Sequence, residues 1–94
     1  MEHPMIGSHV EAYPLEEDKL QIFNKNTGKT YTLGKNESLV YQLLNGANTP
    51  DEISGQCTFY NRQEIDALIK VFSDLGFFEK VKKKFNPFKI KLRL

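Results

Sequence analysis

The chain has 94 residues, 39% of them apolar and 27% charged, with a net charge of +1. That suits one domain with a modest core and excludes a membrane span, since no apolar run approaches ~20 residues. The small net charge conceals an acidic body and a basic tail: residues 1–78 carry six basic and eleven acidic side chains, residues 79–94 seven basic and one acidic.

Met1 to Ser8 contains Pro4 and Gly7 and no period, and reads as a frayed lead-in. Met1-Glu2-His3-Pro4 lacks the basic and apolar regions of a secretory signal. The single cysteine, Cys57, forms no internal disulfide and is expected as a reduced thiol in a cytoplasmic protein. His9 to Tyr13 favours a short strand ending at Pro14. Glu16-Glu17-Asp18 reads as an acidic turn. Lys19 to Phe23 alternates, with Leu20 and Ile22 on one side. Asn24 to Lys29 makes a hairpin in which Gly28 takes positive φ, and Thr30 to Leu33 is the returning strand. These segments predict a small antiparallel sheet of two or three strands.

Three helices follow. The first is expected over Glu37 to Leu44, capped by Asn36, with an apolar stripe of Leu39, Val40, Leu43 and Leu44 and a stop at Asn45-Gly46. Thr49-Pro50-Asp51-Glu52 is a capping box with proline at the first helical position, and it opens a short second helix. Asn61-Arg62-Gln63-Glu64 is the asparagine version of the same box. Behind it Ile65, Leu68, Ile69, Phe72 and Leu75 hold the helical period until Gly76, and Phe77 is placed to pack back on the last turn. Beyond Lys80–Lys84, the tail alternates apolar Phe88, Ile90, Leu92 and Leu94 with basic Lys89, Lys91 and Arg93, the pattern of a strand with one covered face.

No constellation of residues supports catalysis. His3 and His9 lack partners at ligand spacing, the acidic turn lacks the spacing of a calcium loop, the glycines are isolated, and no serine sits in a nucleophile elbow. The expectation is a non-enzymatic protein without metal or cofactor. Strands followed by three helices give a winged-helix-like layout, which admits a DNA-binding or regulatory module as the alternative. The third helix argues against it: Arg62 and Lys70 stand against Glu64, Asp66 and Asp74, so phosphate docking would meet repulsion. Peptide binding suits the chain better. The strand before the helices leaves an edge open for an added strand, and the third helix offers a wall. Ala67 and Val71 either form a shallow groove there, with Lys70 and Asp74 selecting charge at its rim, or simply widen the core stripe.

Leu43-Leu44-Asn45-Gly46, then Thr49-Pro50-Asp51-Glu52-Ile53, then the Ile65–Leu75 helix closing in Leu75-Gly76-Phe77-Phe78 resemble the PqqD-like family, also called RiPP recognition elements, over roughly residues 9 to 80. The resemblance implies a non-catalytic α+β domain, a three-stranded antiparallel sheet with three helices. It implies capture of the leader segment of a ribosomally made precursor peptide, added beside the third strand and against the third helix. The domain then delivers the precursor to a modifying enzyme of radical SAM, cyclodehydratase or protease type. Carried onto this sequence, the peptide-binding residues are Lys29, Thr30, Tyr31, Thr32 and Leu33 on the strand. On the helix they are Glu64, Ala67, Leu68, Lys70, Val71 and Asp74. The tail, residues 81–94, departs from a compact member and fits a linker to a further domain or partner.

Overall fold

The computed structural model describes residues 3 to 79. The expected tail strand lies outside them. Three strands, β1 (Val10–Pro14), β2 (Leu20–Asn24) and β3 (Lys29–Leu33), precede three helices, α1 (Lys35–Leu43), α2 (Pro50–Gln56) and α3 (Arg62–Asp74). The sheet is antiparallel in the order β1-β2-β3, so β1 and β3 are both edges. The α+β architecture expected from the sequence is the one observed.

Register places Ile22 between Ala12 and Tyr31, and Leu20 between Pro14 and Leu33. Because side chains alternate across a strand, these residues share the side that carries the core. Leu20, Ile22 and Leu33 are buried there with Val40, Tyr41, Leu44, Ile53, Ile65, Phe72, Phe77 and Phe78. Phe77 is the hub. Its ring stacks on Phe72 at 5.4 Å and meets Tyr31 edge-on at 5.4 Å and Tyr41 at 6.2 Å, all within the range of favourable aromatic pairing.

Both capping boxes form as the sequence implies. Thr49 Oγ1 accepts from Glu52 N at 3.1 Å while Glu52 Oε1 accepts from Thr49 N at 2.7 Å. Asn61 and Glu64 exchange the same pair at 2.8 and 2.9 Å. The start of α1 differs from expectation. Gly34, not Asn36, is its N-cap, and no side chain caps it. Leu39 also leaves the expected apolar stripe: it is 38% exposed, and Tyr41 takes a place in the core. A helix of this length can bury only one stripe, and the sheet selects the one running through Val40, Tyr41 and Leu44.

The lead-in read as frayed is paired where the structure describes it. Ile6 N donates to Leu44 O and Gly7 N to Phe77 O, both at 2.9 Å, and Glu79 N donates to Met5 O at 3.2 Å. Met5 and Ile6 thus bridge Asn45 on one side and Phe78 on the other. Backbone groups at two helix ends need partners, and this extended segment supplies them.

Candidate functional site

The end of the last helix is tied to the sheet. Gly76 follows α3 with φ +78°, the left-handed conformation that ends helices. Its carbonyl accepts from Asn24 Nδ2 at 3.3 Å and lies 2.7 Å from His9 Nε2, and the Leu75 carbonyl also accepts from Asn24 Nδ2 at 3.2 Å. The C-terminal end of α3 is thereby held against the sheet, and Tyr31 of β3 reaches Phe77 just beyond it.

One flank of α3 faces α2, because the Arg62 guanidinium pairs with Asp51 as well as with Asp66. On the helical period Glu64, Leu68, Val71 and Leu75 run down the opposite flank. Leu68 and Leu75 pack partly against the core, while Val71 is 48% exposed. A branched apolar residue this open, next to two partly covered leucines, makes an apolar strip bounded by polar groups. Lys70 and Asp74 form that boundary as an exposed ion pair at 3.3 Å. Such a pair contributes little to stability, and either partner is free to meet an incoming charge.

On β3, Lys29, Thr30 and Thr32 are exposed and Tyr31 is half-buried on Phe77. Leu33 is 7% exposed and belongs to the core, so it has only main-chain groups to offer. As an edge strand in an antiparallel ladder, β3 turns alternate N–H and C=O groups away from β2. Among the helix residues, Ala67 is exposed and Glu64 serves the N-terminal cap of α3 through its carboxylate. The sequence-derived set therefore divides into a strand edge (Lys29, Thr30, Tyr31, Thr32) and a helix flank (Glu64, Leu68, Val71). Ala67, Lys70 and Asp74 stand further round the helix. Leu75, part of the core stripe by sequence, also shares this flank through its spacing from Leu68 and Val71.

Cys57 is buried, and burial pushes its thiol pKa up, the opposite of what a nucleophile requires. Among the described residues no cluster of histidine, cysteine and carboxylate side chains could hold a metal ion. No helix among them is long and apolar enough to cross a membrane.

No protein-family model and no curated protein matches the chain. Two solved structures share its fold. TbiB1 in complex with the TbiA(beta) leader peptide is 18% identical, with a TM-score of 0.66 over 88% of this chain and 99% of that one. The heterocyclase TruD is 17% identical, with a TM-score of 0.62 over 87% of this chain. This chain spans 12% of the heterocyclase's length.

Proposed function

We propose that this chain is a non-catalytic recognition domain of the PqqD-like, RiPP recognition type. It binds the leader segment of a ribosomally synthesised precursor peptide by strand addition to β3 and presents the precursor to a modifying enzyme. The observation that carries this reading is that the domain has both an open strand edge, β3, and an uncovered apolar flank on α3, with Tyr31 of β3 meeting Phe77 just beyond the helix. Main-chain hydrogen bonds to the edge supply affinity, and side chains lodged on Leu68, Val71 and Tyr31 supply selectivity. The fold likeness to a protein solved with a leader peptide supports the reading. That a heterocyclase contains the same fold as a small part of its chain is in keeping with delivery to an enzyme.

A winged-helix DNA reader is the competing class, and charge separates the two. Residues 3–79 hold eleven acidic and six basic side chains, so a DNA backbone would be repelled by this body rather than release counterions. Titration with a synthetic leader segment of the cognate precursor tests the proposal. Amide NMR shifts should concentrate in 29–33 and 64–75. Shifts elsewhere would move the site, and tight duplex binding by a chain whose tail lysines are changed to glutamine would overturn the reading.

A further inference from the structure

The second sheet edge carries an unexplained surface. Ala12 and Pro14 of β1 lie opposite Ile22 and Leu20, on the side of the sheet that bears the core, yet both are exposed. The helices do not extend over them. Beside them the turn after β1 and the exposed side of α1 form an open cavity of ≈ 470 Å³ lined by Pro14, Leu15, Leu20, Leu39 and Gln42 and by the charged Asp18 and Lys19. Leu15 and Leu39 are 41% and 38% exposed. Here a strand edge, an apolar pocket and exposed apolar side chains coincide.

The charge of this corner is one-sided. Residues 10–20 contain Glu11, Glu16, Glu17 and Asp18 against Lys19 alone. Lys19 pairs with Glu17 at 3.7 Å and Lys25 with Glu11 at 3.5 Å, which leaves Glu16 and Asp18 without a basic partner among the described residues. At the β3 edge, in contrast, Lys29 and Lys70 balance Glu64 and Asp74. The corner thus suits a cationic segment that alternates apolar and basic side chains. Residues 88–94 of the same chain have that sequence, and 80–94 contain seven basic and no acidic side chains.

Reach is sufficient. Glu79 ends the described chain next to β1, since its carboxylate accepts from Ser8 N at 3.2 Å. The eight residues 80–87 can span up to about 26 Å, whereas the five residues of β1 extend only about 17 Å.

We propose that the β1 edge and the apolar corner beside it are the docking site of the chain's own basic segment, residues 88–94. The alternation of the segment supplies apolar Phe88, Ile90 and Leu92 to match exposed Ala12, Pro14 and Leu39, and basic Lys89, Lys91 and Arg93 to match the carboxylates. This leaves β3 open and is independent of the leader-binding reading.

The test uses the full chain with Lys91→Cys carrying a nitroxide, a mid-segment position that reads out either strand direction. Cys57 is buried and stays unlabelled. Amides of 10–20, 39 and 42 should lose intensity in the oxidised spin-label state. Adding Glu16→Lys with Asp18→Lys, or Leu39→Lys alone, should restore it while the rest of the spectrum stays in place. Intensity loss at 29–33 and 64–75 would instead put the segment on β3 and overturn the proposal. So would uniform loss, or loss seen only between labelled and unlabelled copies.

Discussion

Asn24, at the end of β2, donates from Nδ2 to the carbonyls of Leu75 and Gly76 at 3.2 and 3.3 Å. It is 1% exposed, and its Oδ1 accepts from Asn26 N at 2.9 Å. One amide therefore shapes the β2–β3 hairpin and satisfies two carbonyls at the end of α3. It ties the sheet to the end of the helix that forms one side of the candidate site.

Replacing Asn24 with alanine should destabilise the domain by about 1–3 kcal/mol, the usual effect of leaving buried polar groups without partners. Urea denaturation followed by circular dichroism would measure it. The loss should exceed that of Asn26→Ala, because Asn26 is exposed.

The capping boxes give a second expectation. Thr49→Ala and Asn61→Ala should each lower stability by about 1 kcal/mol, since each removes a side-chain acceptor for the third amide of its helix. Asn36→Ala should have little effect, because Asn36 caps nothing.

Stability should fall at alkaline pH. Burial pushes the Cys57 thiol and the Tyr41 and Tyr60 phenols up, with Glu37 adding to the shift at Tyr60. Each group is neutral when protonated, so the folded chain keeps these protons to higher pH than the unfolded chain does. Their contribution is whole below the unfolded values, about 8.5 for cysteine and 10 for tyrosine. It is lost as pH rises through the folded ones. Melting temperature measured from pH 7 upward should decline first through Cys57, and Cys57→Ser should remove that first part of the decline.

Val71→Glu separates binding from stability. The residue is 48% exposed, so the melting temperature should barely move. Leader affinity should drop roughly ten-fold or more, the effect of losing an apolar anchor and burying a charge in its place. Calorimetric titration of both proteins would show it.

Much of this arrangement is legible in the sequence because local chemistry dictates it. Thr49–Glu52 and Asn61–Glu64 name two helix starts by side-chain reach alone, and Gly28 and Gly76 name two chain reversals by positive φ. Other features depend on tertiary partners. The Met5–Ile6 segment has no period of its own and is ordered by the ends of α1 and α3. Leu39 and Tyr41 are both apolar enough for the core, and only the sheet decides between them. Asn24 looks like a turn residue, and its role at Gly76 spans 52 positions that no local pattern connects. Both halves of the candidate site follow from the sequence: the helix flank from the period of α3, and the open edge from β3 being the last strand before the helices.

The most direct test of leader capture is amide hydrogen exchange of the full chain with and without its leader. Alternate residues of Lys29–Leu33 should become slow to exchange on binding, since an added strand occupies only the outward groups of β3. Unchanged exchange on β3 with the leader bound would contradict strand addition there.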